Sequence, residues 1–172
     1  MIGEKIQDAF NDQLNAETYS AYLYWSMSAY FESANLRGFA NWMRVQAREE
    51  MVHAAKFFSF ICERGGRVAL KEVKAPETRW DSPLAAFQAA HKHEQFITGR
   101  INKLVDMAAA EKDHAAGIFL QWFVSEQVEE EAAADGIVRK LKMISEAPGG
   151  LFMMDRELGE RNFTPPSGKG EE

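Results

Sequence analysis

The sequence predicts an all-α fold, a four-helix bundle with a long crossover between the second and third helices and a short fifth helix near the C-terminal end. Four long stretches place apolar residues at steps of three and four, which is typical of helices that bury one face. Paired glycines follow the second stretch, and a proline with two glycines follows the fourth, where they would end helices. The connection after the second stretch is much longer than the other two, and this favours a crossover over a tight turn.

The first two helices should form an antiparallel hairpin because the connection between them is short. Helix A is predicted from about 4 to 32 and helix B from about 36 to 64. Asn35 is the expected N-cap of helix B, because its side chain can accept from a free backbone N–H group. Gly65 and Gly66 are expected to end helix B.

The segment 66–80 is expected to be the crossover. Its 15 residues can span about 50 Å when extended. A helix of about 29 residues is about 43 Å long, so the segment can carry the chain from one end of the bundle back to the other. Helix C then opens at Ser82 and Pro83, a hydroxyl cap followed by proline at the first helical position.

Helix C should run to about residue 111, and a second hairpin leads into helix D. Asp113 is the expected N-cap of helix D, which should end near Glu146 because Pro148 cannot continue it. A short amphipathic helix E is predicted over 151–158. We expect one domain over residues 1–160 and a flexible tail over 161–172, which is rich in proline, glycine and charge.

Composition and charge exclude several classes of partner. The formal net charge is −6 and no basic cluster occurs, so we do not expect a nucleic-acid partner. The single cysteine, Cys62, rules out an internal disulfide framework. No secretory signal and no run of transmembrane length is found, so we expect no membrane partner and a cytoplasmic location.

The sequence Glu-x-x-His at Glu50 and His53 is the first indication of a metal site. Both residues fall on an apolar stripe of helix B, where an unpaired carboxylate is costly to bury. Carboxylate oxygen and imidazole nitrogen are ordinary ligands of zinc, manganese and iron. Alone, this motif is weak, since a surface glutamate beside a buried histidine would have the same spacing.

A repeated interval between glutamates strengthens the indication. The interval from Glu17 to Glu50 is the same as that from Glu94 to Gln127, and Glu130 follows Gln127 one turn later. Each of these residues falls on the apolar stripe of its own helix, near the middle. The four carboxylates should therefore meet at one level of the bundle, where they would repel one another unless cations were present. Two Fe²⁺ ions would balance them, and a dinuclear metal centre is the simplest explanation.

Up to about residue 160, the chain resembles the non-haem ferritins of bacteria and archaea. The resemblance depends on one combination of residues: Glu17, Tyr24, Glu49, Glu50, His53, Glu94, Glu126, Gln127, Glu129 and Glu130. It implies a shell of 24 subunits, oxidation of Fe²⁺ by O₂ or H₂O₂ at an intrasubunit di-iron centre, and storage of ferric mineral inside the shell.

The resemblance also implies roles for individual residues. Glu17, Glu50 and His53 would hold one iron, Glu50 would bridge, and Glu94 with Glu130 would hold the second iron, with Gln127 close by. A third iron site is expected at Glu49, Glu126, Glu129 and Glu130, because helical spacing and the matching residues of similar ferritins place them in one acidic patch. The alternative for this patch is a solvated acidic face.

Other assignments stay open or are rejected. Tyr24 could donate an electron or a hydrogen bond to the centre, or could be a core tyrosine with a satisfied hydroxyl group. Met51 matches the haem ligand of bacterioferritins, but that family has a second Glu-x-x-His on helix D, where this chain has Gln127 and Glu130, so haem is not expected. A rubrerythrin-like peroxide scavenger usually carries a Cys-x-x-Cys site, which a chain with one cysteine lacks.

Helix E is expected to contribute to the shell. Leu151, Phe152, Met154 and Leu158 are too apolar for a free tail. We expect the bundle to offer them little surface to cover, and therefore expect the helix to pack against its copies around a symmetry axis.

Overall fold

The computed structural model describes residues 1–144, 147 and 149–164, and this part of the chain contains five helices. They are α1 (Glu4–Ser33), α2 (Arg37–Glu63), α3 (Pro83–Ala110), α4 (His114–Ile144) and α5 (Gly150–Gly159). The predicted all-α class, with four long helices and a short fifth, is confirmed. The predicted end of helix D near Glu146 and the tail residues 165–172 lie outside the described residues.

Three of the predicted helix boundaries are confirmed by their hydrogen bonds or backbone geometry. Ser82 Oγ accepts from Ala85 N at 3.0 Å at the start of α3, and Asp113 Oδ1 accepts from Ala116 N at 3.0 Å at the start of α4. Gly65 follows the C-cap of α2 with φ +69°, a left-handed conformation that glycine adopts without steric cost. Local sequence signals therefore set these boundaries.

The start of α2 differs from the prediction. Asn35 does not cap the helix, because it adopts φ +58° in the turn that follows α1, and Leu36 takes the N-cap position without a side-chain bond. The cap comes from α5 instead. Asp155 Oδ1 accepts from Gly38 N at 2.8 Å and from Phe39 N at 3.1 Å. The first turn of α2 therefore depends on a helix that lies more than a hundred residues later in the chain.

The crossover runs along α1, to which polar side chains attach it. Asn11 uses both ends of its amide: Nδ2 donates to Arg67 O at 3.1 Å and Oδ1 accepts from Ala69 N at 2.8 Å. Ser26 Oγ donates to Glu77 O at 2.6 Å near the other end of α1. Side chains of α1 thus satisfy backbone groups of a segment that has no ladder or helix of its own.

The apolar core forms two clusters, one at each end of the bundle, separated by a polar level. One cluster includes Met27, Phe39, Phe87 and Leu141, and the other includes Phe10, Phe57, Ile101 and Leu120. Along each long helix, the polar residues of the predicted site fall between the stretches that supply the two clusters. In the described part of the chain, no helix is long and apolar enough to cross a bilayer.

Helix α5 is amphipathic and divides its apolar residues between two surfaces. Met154 and Leu158 are buried against α2 and the neighbouring core, with 4% and 6% of their surface exposed. The expectation that the bundle offers little for this helix to cover is therefore wrong for these two residues. Phe152 and Met153 point away and remain 76% and 74% exposed, so an apolar surface of the helix is left over.

Candidate metal centre

The polar level between the two core clusters brings together five side chains that the sequence predicted as metal ligands. Helix α1 contributes Glu17, α2 contributes Glu50 and His53, α3 contributes Glu94, and α4 contributes Glu130. All five are buried, and Glu130 is the most exposed of them at 8%. Antiparallel packing puts the helix middles at one height, so residues far apart in sequence meet there.

The five side chains form two adjoining ligand groups that share one residue. The first group consists of Glu17, Glu50 and His53, and the second of Glu50, Glu94 and Glu130. Within each group, one candidate ligand atom per residue lies within 4.8 Å of the others. Because Glu50 belongs to both groups, its carboxylate is placed to bridge two cations.

Several ligand atoms of these groups have no hydrogen-bond partner within the described part of the chain. Glu17 Oε2, Glu130 Oε2 and His53 Nδ1 are buried in this state. His53 Nδ1 lies 3.4 Å from Glu50 Oε2, and His53 Nε2 lies 3.8 Å from Glu130 Oε1. Buried polar atoms are nearly always paired, so a cluster of unpaired oxygen and nitrogen atoms fits a bound cation. The donor set, four carboxylates and one imidazole, suits iron, manganese or zinc.

The electrostatics of the metal-free centre favour protons on its carboxylates. Burial raises the pKa of Glu17, Glu50 and Glu130 above the ordinary value of a glutamate, and for Glu50 and Glu130 the rise is large. The second cause for Glu50 and Glu130 is repulsion from the neighbouring carboxylates, Glu94 among them. A cation that replaces these protons removes both the desolvation penalty and the repulsion.

Tyr24 lies directly against the centre. Its buried hydroxyl group donates a hydrogen bond to Glu94 Oε1. Burial, followed by the Glu94 charge, raises the pKa of Tyr24 well above its ordinary value, so the phenol stays protonated. The structure therefore shows the hydrogen bond that the sequence allowed, while a role of Tyr24 as electron donor stays a prediction.

Gln127, which the resemblance places close to the second iron, lies beside Glu94 and is hydrogen-bonded there. Gln127 Nε2 is 3.3 Å from Glu94 Oε2 and 3.3 Å from Thr98 Oγ1. Thr98 Oγ1 in turn donates to Glu131 Oε1 at 2.5 Å. The amide nitrogen of Gln127 thus holds the Glu94 carboxylate in place. Thr98 and Glu131 extend this network and were not predicted from the sequence.

The predicted third site is assembled in part. Glu126 and Glu130 lie close together, and His53 completes a group of three ligand atoms within 4.8 Å of one another. Glu49 is half-buried, but its Oε2 accepts from Arg161 Nη2 at 2.5 Å. Glu129 is exposed and belongs to none of the ligand groups among the described residues. Two of the four predicted residues therefore meet, and Glu49 has an arginine partner.

Two arginines next to the centre were not predicted from the sequence. Arg100 Nε donates to Gln13 Oε1 at 2.8 Å, and Arg161 Nη2 donates to Gln46 Oε1 at 3.0 Å. The interval between Gln13 and Gln46 equals the interval between the ligands Glu17 and Glu50, and this signal was available in the sequence. Arg161 carried no signal at all, because it falls in the segment expected to be a flexible tail.

The comparisons with known proteins agree with this geometry. The family model for the ferritin-like domain matches residues 7–144. The bacterial non-heme ferritin of Bacteroides fragilis is 47% identical over 161 residues, which cover 94% of this chain and 100% of that protein. The bacterial non-heme ferritin of Campylobacter jejuni is 42% identical over 158 residues, which cover 92% of this chain and 95% of that protein.

Solved structures give the same result. An engineered closed form of the Archaeoglobus fulgidus ferritin superposes with a TM-score of 0.94 at 56% identity and covers 95% of this chain and 100% of that one. The open-pore ferritin of the same archaeon gives a TM-score of 0.93 at 56% identity and covers 94% of this chain and 100% of that one. With a domain model that matches most of its length and relatives that align with it almost from end to end, this chain belongs to the ferritin family, among the non-haem ferritins of bacteria and archaea.

Proposed function

We propose that this protein stores iron: it oxidises Fe²⁺ at a di-iron centre within each subunit and deposits ferric mineral inside a shell of 24 subunits. The observation that carries the proposal is the pair of ligand groups that share Glu50. The unpaired ligand atoms on Glu17, His53 and Glu130 support the same conclusion. The kinship with proteins named non-heme ferritins supports iron as the cation.

In the proposed reaction, iron is the substrate, and the protein supplies ligands and releases protons from its carboxyl groups. Two Fe²⁺ ions each lose one electron, and O₂ takes up both electrons with two protons to form H₂O₂. With H₂O₂ as oxidant, the same two electrons and two protons give two water molecules. The carboxyl groups whose pKa is raised release protons when Fe²⁺ binds and supply anionic oxygen ligands in their place.

The hydrogen bonds around Glu94 keep that carboxylate in position for its cation. Tyr24 and Gln127 donate to its two oxygens from α1 and α4. These two donors fix the side-chain angle of Glu94 while leaving lone pairs of both oxygens free, because a carboxylate has about four acceptor positions. Glu50, which has a single amide donor, can shift more easily between the two cations.

A further part of the proposal is a third cation site beside the centre, with Glu126 and Glu130 as its first ligands. Glu49 would join them after its ion pair with Arg161 opens, and Glu129 would join from the exposed side. The role of the site would be to accept iron from the centre and pass it towards the mineral. Anaerobic soaking of crystals in Fe²⁺ should show three iron peaks per subunit in the parent and two in a variant without Glu49, Glu126 and Glu129. Two peaks in both proteins would mean that the patch is only an acidic surface.

The shell is supported by the relatives and by α5. The A. fulgidus ferritin is described in an open-pore form and in an engineered closed form, and a pore implies an enclosed space. Phe152 and Met153 of α5 offer an exposed apolar surface to neighbouring copies. Particle size and iron content of one sample, measured by electron microscopy and by elemental analysis, would test the shell and its cargo together.

The decisive test of the centre is replacement of the shared ligand. Glu50→Ala removes a residue from both ligand groups, so the rate of Fe²⁺ oxidation should fall by more than the roughly 100-fold that loss of an outer hydrogen-bond partner can cause. The matched control is Glu32→Ala, which removes an exposed glutamate of α1 that pairs with Arg44. Both proteins should keep the helical circular dichroism of the parent. An unchanged initial rate in a folded Glu50→Ala protein would refute the di-iron assignment.

A further inference from the structure

Two ligand carboxylates of the centre are held in the same way, each by a glutamine four residues earlier in its helix. Gln13 Nε2 donates to Glu17 Oε1 at 2.8 Å, and Gln46 Nε2 donates to Glu50 Oε1 at 3.2 Å. Both glutamines are buried, with 0% and 2% of their surface exposed. The two glutamines are separated by the same interval as the two glutamates, so α1 and α2 each carry a glutamine followed four residues later by a ligand glutamate.

Each glutamine is in turn held by an arginine at its other end. Arg100 Nε donates to Gln13 Oε1 at 2.8 Å, and Arg161 Nη2 donates to Gln46 Oε1 at 3.0 Å. Arg100 belongs to α3, while Arg161 follows α5. The interval that separates the two glutamines leads from Arg100 to Ala133 and not to Arg161. The two arginines are therefore not part of the sequence repeat.

The surroundings of the two arginines are also alike. Arg100 Nη2 donates to Asp12 O at 3.0 Å, and its guanidinium group lies 5.8 Å from the centre of the Phe96 ring. Arg161 Nη1 donates to Trp42 O at 3.3 Å, and its guanidinium group lies 4.3 Å from the centre of the Trp42 ring. A backbone carbonyl and an aromatic face thus fix each guanidinium plane, which positions one N–H group towards the glutamine.

The orientation of the amides follows from the chemistry of their partners. A guanidinium group donates hydrogen bonds and accepts none, so only the amide oxygen of a glutamine can face it. The amide nitrogen must then face the opposite side, where the ligand carboxylate accepts its hydrogen bond. Without the arginine, the amide could turn over and place its oxygen against the carboxylate, where two acceptors repel each other.

A hydrogen bond to Oε1 fixes the angle of each ligand carboxylate and leaves Oε2, with the second lone pair of Oε1, for cations. Glu17 Oε2 has no hydrogen-bond partner among the described residues, and Glu50 Oε2 faces His53 Nδ1 at 3.4 Å. On the basis of these contacts, and building on the proposed function, we propose that Arg100 and Arg161 are positioning residues of the metal centre. Each acts through a buried glutamine to fix the angle at which the carboxylate of Glu17 or Glu50 faces the cations.

The test uses the full chain and Co²⁺ as an anaerobic probe, because its visible absorption reports the ligands around the ion. Arg100→Met should weaken Co²⁺ binding about 10-fold, the lower end of the range for loss of an outer hydrogen-bond partner, and should change the absorption spectrum. The matched control is Arg44→Met, since Arg44 forms an ion pair with Glu32 but contacts no glutamine of the centre. The control should bind Co²⁺ like the parent.

A double-mutant cycle separates positioning from a general structural role. Gln13→Leu should also weaken binding, and adding Arg100→Met to it should cause no further loss, because the arginine acts through that glutamine. The same cycle with Gln46→Leu and Arg161→Met tests the second arginine when all its variants also carry Glu49→Gln, because Arg161 otherwise acts on Glu49 as well. Equal losses from Arg100→Met with and without Gln13 would overturn the proposal, as would parental affinity and spectrum in Arg100→Met.

The outcome for the parent chain separates this proposal from the proposed function. A parent that binds no Co²⁺ would refute both the metal centre and the positioning role of the arginines. A parent that binds two Co²⁺ per chain, or three when the proposed third site also fills, while Arg100→Met behaves like Arg44→Met, would refute the positioning role of the arginines alone.

Discussion

The contact between α2 and α5 gives a sharp prediction for Gly38→Ala. A Cβ atom added to Gly38 would lie 1.6 Å from the carbonyl oxygen of Asp155 and 3.0 Å from Gly159 N. Non-bonded heavy atoms prefer separations of about 3.5 Å, so α5 would have to withdraw by about 2 Å. Both atoms that it meets belong to the backbone, so no side-chain rotation can relieve the contact.

The cost can be worked from what the withdrawal disrupts. The hydrogen bonds from Gly38 N and Phe39 N to Asp155, now 2.8 and 3.1 Å long, would be broken because their donors and acceptor would move beyond hydrogen-bond distance. Loss of such a cap costs about 1 kcal/mol. Met154 and Leu158 would lose part of their burial. Strain of this kind in a packed contact typically costs a further ~1–3 kcal/mol. We therefore expect a loss of about 3 kcal/mol in the free energy of unfolding, the sum of the cap and the middle of that range.

The assay is urea unfolding of metal-free protein, followed by helical circular dichroism at one protein concentration, because assembly contributes to apparent stability. The matched control is Gly99→Ala, whose added Cβ meets nothing within 4 Å and lies inside α3. That control should be stabilised by about 0.5–1 kcal/mol, since alanine is the better helix former. Equal stability of the two variants would mean that α5 does not dock on α2 in this way.

Three further predictions concern the centre and the shell. In metal-free protein, the carboxyl groups with raised pKa, Glu130 among them, hold protons that the unfolded chain releases. The free energy of unfolding should therefore fall as the pH rises above about 4.5, by up to roughly 1.4 kcal/mol per pH unit for each group. Glu130→Gln should flatten this pH dependence in urea titrations at pH 5 to 8, and an unaltered slope would contradict the prediction. Phe152→Ser should give smaller assemblies in size-exclusion chromatography, before or after heating, while the helical circular dichroism of the chain is kept, because this side chain is 76% exposed. Truncation after Ala147 would also remove the Asp155 cap. Protein purified from haem-replete cells should show no strong Soret band, and a stoichiometric band would instead assign Met51 to haem.

Much of this structure could be predicted because it depends on periodic signals within single helices. Glu17, Glu50, Glu94 and Glu130 lie near helix middles, and the packing of long antiparallel helices brings their middles to one height. Burial and spacing alone therefore indicated which residues meet. The caps at Ser82 and Asp113 were equally predictable, since they depend on residues one turn away.

The errors have a common physical origin, which is a contact from a distant part of the chain. Asn35 was the local candidate for capping α2, but Asp155 arrives from α5 and satisfies the same N–H groups. Arg161 appeared to belong to a free tail, yet Asn41 Nδ2 donates to its carbonyl oxygen at 2.9 Å and Glu49 holds its side chain. Such partners leave no periodic pattern in the sequence, so only the folded chain identifies them.

The internal repeat differs at two ligand positions, and this gives the two cation positions different preferences. Where the first half has Glu50 and His53, the second half has Gln127 and Glu130, so one group includes an imidazole and the other consists of carboxylates only. Imidazole favours ions such as Zn²⁺, whereas sites made of oxygen alone suit harder ions such as Mn²⁺ and Mg²⁺. A competing zinc ion would therefore enter beside His53 and leave the all-oxygen position to a harder partner. The centre would then hold a mixed pair, and one zinc ion per subunit would be enough to stop the proposed oxidation of two Fe²⁺ ions.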